Sequence, residues 1–108
     1  MMRPEETVET YLLKRAEELG FLCYKFTSPG NNGVPDRILV GHGVTFFIET
    51  KAPGGKPRKL QEKVINRINE HGGIALVAAN KEEVDTILES MIKRNTRRKT
   101  SRKKETKQ

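Results

Sequence analysis

The sequence predicts an α/β sandwich on a mixed sheet, in the order helix, three strands, helix, strand, helix. Three observations carry this. Apolar residues recur at helical spacing in three separate stretches, at Val8, Leu12, Ala16 and Leu19, at Leu60, Val64 and Ile68, and at Val84, Ile87, Leu88, Met91 and Ile92. Two strand-like runs, Asp36 to Val40 and Val44 to Lys51, are joined only by Gly41-His42-Gly43, which makes them antiparallel neighbours. A last apolar run, Ile74 to Ala79, returns through a helix, and such a crossover favours a parallel partner.

Pro4 suits a first helical turn, and Glu5, Glu6 and Glu9 suit its positive end. The helix runs to Leu19, and Gly20 stops it. Phe21 to Phe26 reads as a strand, followed by the turn-rich loop Thr27-Ser28-Pro29-Gly30-Asn31-Asn32-Gly33. After the hairpin, Ala52-Pro53-Gly54-Gly55-Lys56-Pro57 is a loop, with Pro57 in the first turn of a helix that reaches His71 and ends at Gly72-Gly73. Asn80, with Glu83 three residues on, caps the last helix. Apolar periodicity stops at Lys93. The reading is one domain over residues 1–93 and a basic tail over 94–108, which buries too little to offset ordering entropy and is expected to be disordered.

Chemistry concentrates on the hairpin. Side chains alternate faces along a strand, so Glu49 and Lys51 share one face while Ile48 and Thr50 share the other. Phe46-Phe47-Ile48 is apolar on both faces, so these charges emerge directly from buried structure, where they are costly unless paired or metal-bound. Gly33-Val34-Pro35 holds Asp36 at the start of the neighbouring strand. If Asp36 meets Glu49 at that level, only protonation or a cation relieves their repulsion. A divalent ion with oxygen ligands suits such a pair, and Lys51 would stabilise charge developing on a phosphate.

Charge agrees with a phosphate-rich partner. Residues 1 to 92 carry 12 Lys/Arg against 13 Asp/Glu, and residues 93 to 108 carry 9 against 1, so the net +7 sits in the tail. Within the body, Lys51, Lys56, Arg58, Lys59, Lys63 and Arg67 form a basic stripe beside the carboxylates. Cys23 is alone, which excludes an intrachain disulfide, and reads as a small core residue. No apolar stretch approaches membrane-spanning length, and the N-terminus lacks a signal peptide's core; a cytoplasmic protein with no membrane partner is expected. His42 and His71 have no ligand partner at useful spacing.

Over roughly Glu5 to Leu88 the chain resembles the VRR-NUC domain of the PD-(D/E)XK nuclease superfamily, in its small stand-alone phage and bacterial form. The carriers are Lys25-Phe26, Ser28-Pro29-Gly30, Gly33-Val34-Pro35-Asp36-Arg37, Phe47 to Pro57, and Leu60-Gln61. The resemblance implies a restriction-endonuclease-like fold and a DNA endonuclease dependent on magnesium or manganese. It implies Asp36, Glu49 and the Thr50 carbonyl as metal ligands, Lys51 as the catalytic lysine, and Gln61 as a support for the metal or its water. It also implies a glutamate on the first helix facing the metal; Glu9 is the choice, with Glu5 and Glu6 as alternatives. Lys25, Ser28, Lys56, Arg58, Lys59 and Lys63 are the expected DNA contacts. A homodimer cutting branched DNA such as four-way junctions follows from the same resemblance, since a two-fold enzyme matches a two-fold substrate. The competing reading is a non-catalytic nucleic-acid-binding module, against which the intact Asp36, Glu49 and Lys51 stand.

Overall fold

The computed structural model describes the backbone of residues 4–106 and the side chains of residues 7–94. Helix α1 (Pro4–Glu18) precedes β1 (Leu22–Lys25), β2 (Arg37–Gly41) and β3 (Val44–Thr50); α2 (Lys59–Glu70), β4 (Ala75–Ala78) and α3 (Lys81–Thr106) follow. The strands form one sheet in the order β1-β2-β3-β4, antiparallel up to β3 and parallel between β3 and β4. The expected mixed α/β sandwich is therefore the observed one.

The core lies on one face of the sheet. Val44, Phe46 and Ile48 alternate inward from β3, as pleating requires, and meet Val8, Leu12 and Ala16 of α1 and Val84, Leu88 and Met91 of α3. Phe21 packs edge-on against Phe46 at 5.6 Å between ring centres. The two helices are also clasped by polar contacts: the Tyr11 hydroxyl donates to Asp85 Oδ2 (2.8 Å) and Arg15 Nε donates to Asp85 Oδ1 (3.0 Å). On the other face α2 packs over β4, leaving Leu22, Tyr24 and Val40 exposed on β1 and β2.

The hairpin turn is tighter than its glycine flanks suggest. Gly41 pairs with Val44, so His42 and Gly43 alone make the turn, with φ of 54° and 78°. Two consecutive positive φ values match the twist of a two-residue hairpin. His42 accepts that conformation while its Nε2–H donates to the Leu19 carbonyl (2.6 Å) and its ring packs on Phe21 (4.8 Å). It ties the turn to the end of α1.

Three details differ from expectation. Helix α2 starts at Lys59, and Pro57 precedes it, because the Gln61 side chain accepts from the Arg58 N–H (3.0 Å) and sets the first turn there. Leu60 is 48% exposed, while Gln61 and Ile65 are the buried positions, so the inward face is turned by one residue. Finally, α3 continues in backbone to Thr106, past the end of apolar periodicity at Lys93 and into the segment expected to be disordered. Lys, Arg and Glu favour helix without needing burial. The tail side chains from 95 onward lie outside the described residues. Asn80 caps α3 as expected, its Oδ1 accepting from the Glu83 N–H (2.8 Å). Among the described residues, no helix is long and apolar enough to cross a membrane.

Candidate active site

The register of the hairpin decides the site. Arg37 stands opposite Ile48, so Asp36, one step further, stands opposite Glu49. Both lie on the sheet face that α2 partly covers, away from α1 and α3. Glu49 is 2% exposed, yet each of its oxygens is satisfied: Oε1 accepts from the Asp36 N–H (3.1 Å), and Oε2 accepts from Gln61 Nε2 (2.9 Å) and from Lys51 Nζ (3.1 Å). Asp36 is anchored by its backbone, its carbonyl accepting from the Phe26 N–H (2.7 Å).

Burial pushes the Glu49 carboxyl above the ordinary carboxylate range, and the neighbouring Asp36 pushes it the same way; Lys51 offsets this only in part. A buried carboxylate whose ionisation is disfavoured by a second carboxylate is a site where added positive charge is favourable. The donor set, carboxylate oxygens on adjacent strands, fits a hard divalent cation. Asp36 and Glu49 would hold it.

Gln61 has a double attachment. Its Oε1 is fixed by the Arg58 N–H at the start of α2, which aims its Nε2 at Glu49. The helix thereby sets the orientation of a carboxylate on the sheet. Thr50 is 1% exposed, opposite Ala78 at the end of β3, and Lys51 is tied in place where its N–H donates to the Ala78 carbonyl (2.9 Å).

The structure does not bring Glu9 to this pair. Glu9 Oε2 accepts from Arg37 Nε (3.2 Å) and Nη2 (3.1 Å). Arg37 follows Asp36 directly and so projects to the opposite sheet face, the side of α1. The Glu9–Arg37 pair, missed in the sequence, could have been suspected from that parity. Among the described residues, no group of three or more His, Cys, Asp or Glu is placed to hold a metal ion. The side chains of Glu5 and Glu6 lie outside those described.

The expected DNA contacts divide. Lys56, Arg58, Lys59 and Lys63 are exposed along the start of α2 and the loop before it. Ser28 is half-buried, its Oγ accepting from Asn31 Nδ2 (3.2 Å). Lys25 is exposed opposite Arg37, on the α1 side of the sheet, so alternation separates it from the carboxylates. His71 Nδ1 bonds the Arg67 carbonyl (2.7 Å) at the end of α2, a local capping contact.

Against models of protein families the chain finds no match. Among curated proteins it is similar to "Putative nuclease p44" of Acyrthosiphon pisum secondary endosymbiont phage 1, with 43% identity over 58 residues. That match takes in 53% of this chain and 62% of the phage protein's length. Among solved structures it is similar to one described as "VRR_NUC domain", at 30% identity and a TM-score of 0.76, over 82% of this chain and 97% of that one.

Proposed function

Because the chain belongs to the VRR-NUC domain family, we propose that it is a nuclease, a DNA endonuclease that hydrolyses phosphodiesters with magnesium or manganese inside the cell. The observation that carries this reading is the buried Glu49, opposite Asp36 and contacted by both Gln61 and Lys51.

In this reading Asp36, Glu49 and the Thr50 carbonyl hold the ion. A bound divalent cation would supply phosphate polarisation and lower the pKa of the attacking water toward neutrality. Gln61 keeps Glu49 from rotating away. Lys51, a compact ammonium at the edge of the site, meets negative charge as it develops on the phosphate. The exposed cations at the start of α2 receive the neighbouring phosphates of the strand.

The finer reading is a homodimer acting on branched DNA such as four-way junctions. Its support is the bare sheet face. Leu22 lies opposite Val40 and Tyr24 opposite Ile38, so these side chains form one apolar surface, on which Leu22 is 55%, Tyr24 60% and Val40 38% exposed. A second copy of the chain would cover it.

A cleavage panel of plain duplex, flap and four-way junction, with and without magnesium or manganese, tests the function. The expected result is metal-dependent cutting that is strongest on the junction and lost in Glu49→Gln. Binding without cutting under every metal condition would return the protein to the class of non-catalytic DNA-binding modules.

A further inference from the structure

Between the loop of residues 27–34 and α2 lies an open cleft of about 670 Å³. It is the size of a small-ligand site, and its lining is sharply divided. Val34, Leu60, Val64 and Ile68 form an apolar wall, with Lys63 and Arg67 at its side. Among the described residues, neither cation makes an ion pair within 4 Å. Leu60, at 48% exposure, leaves apolar surface in water on this wall.

The wall is held in place. Gly33 has a φ of 92°, and a Cβ there would lie 3.0 Å from both Leu60 Cγ and the Leu60 carbonyl oxygen. Only glycine lets the loop approach α2 so closely in that conformation. The cleft is also near the carboxylates, because Gln61 on the same helix reaches Glu49 and Val64 stands one turn further, about 4.5 Å along the axis.

An apolar wall flanked by two exposed cations matches a ligand with an apolar ring face and an attached anion. We propose that this cleft seats one unpaired nucleotide of the DNA strand being cut, its base against Val34, Leu60, Val64 and Ile68 and its phosphate on Lys63 and Arg67. This rests on the reading of the chain as a DNA nuclease and adds what that reading lacks, a physical basis for preferring disrupted DNA. A base stacked in a duplex cannot enter the cleft, and one already out of the stack can, at a smaller unstacking cost.

The test uses the full chain and three hairpin-capped duplexes: one fully paired, one with a single unpaired adenosine, and one with an abasic residue at that position. Binding is followed by fluorescence anisotropy in EDTA, and cleavage of the same DNAs with magnesium. The adenosine bulge should bind tighter than the abasic bulge by about tenfold, the order of gain expected from burying one face of a base against aliphatic side chains. Leu60→Ala, at an exposed position, should bring that ratio toward one. Arg67→Ala should weaken both bulged DNAs more than the paired one. Equal affinity for adenosine and abasic bulges, or an unchanged ratio in Leu60→Ala, overturns the proposal. Binding and metal-dependent cleavage without base discrimination overturns the cleft alone, whereas absence of cleavage on every DNA overturns the nuclease reading itself.

Discussion

Glu49 is held by three donors and is nevertheless poorly placed to be charged, since burial and Asp36 both disfavour its ionised form. Between the ordinary carboxylate pKa and the raised one, the folded state binds more protons than the unfolded state. Stability should therefore fall as pH rises through that window, and Glu49→Gln should flatten the dependence in thermal melts at a series of pH values. The same substitution should abolish metal-dependent cleavage; turnover within about tenfold of wild type would sink the assignment. Lys51 gives a sharper contrast. Its ammonium competes with any cation for Glu49, so Lys51→Ala should bind magnesium more tightly by calorimetry while losing about 10²-fold or more in single-turnover rate. Tight binding with full rate would make Lys51 structural. The shared face of Glu49 and Lys51 was legible because strand alternation needs no tertiary information. Gln61 was legible only through family resemblance, because nothing in the spacing of a helix flank tells that its amide will bridge a cap and a carboxylate.

At the scale of elements, α2 does two jobs at its first turn. Gln61 both starts the helix and orients Glu49, so Gln61→Ala should lower the melting temperature and the cleavage rate together, whereas Arg58→Ala keeps the backbone donor and should spare the cap. Equal loss of helix stability in the two variants would separate the cap from the Gln61 side chain. The clasp of α1 on α3 is a second such device. Burial alone would raise the Asp85 carboxyl, but Arg15 and Tyr11 outweigh it and hold Asp85 below the ordinary range. The resulting stability is present above the unfolded carboxylate pKa and lost as pH falls through the lowered one. Asp85→Asn should therefore melt a few degrees lower near neutrality and converge with wild type in acid. All seven elements were legible, from apolar periodicity and turn residues. Their phases were less so: Leu60 fits the helical stripe as well as Ile65 does, and only the partner of Gln61 decides between them. The placement of Glu9 failed for a related reason, since a helix contributes to one sheet face and the carboxylates stand on the other.

At the scale of the whole molecule, charge and topology act separately. Nine of the Lys/Arg residues lie in 93–108, beyond the apolar stripe of α3 that ends at Met91 and Ile92. Deleting Arg94 to Gln108 should weaken DNA binding and flatten its salt dependence for every DNA shape alike, with saturating single-turnover cleavage at low salt nearly unchanged. Selective loss of junction preference would instead make the tail a reader of DNA structure. The topology sets a different limit, on which changes in chain length the protein tolerates. Because the His42-Gly43 turn leaves no slack, one residue inserted between Asp36 and Glu49 would send Asp36 to the α1 side and set Arg37 facing Glu49. The same slip would bury Arg37's neighbours wrongly, turning Ile38 and Val40 inward. The loop of residues 52–57 has no such ruler. In a library of single-residue insertions and deletions, viable length variants should accumulate in that loop and be absent from 37–48, so that the hairpin is inherited at fixed length while its surroundings drift.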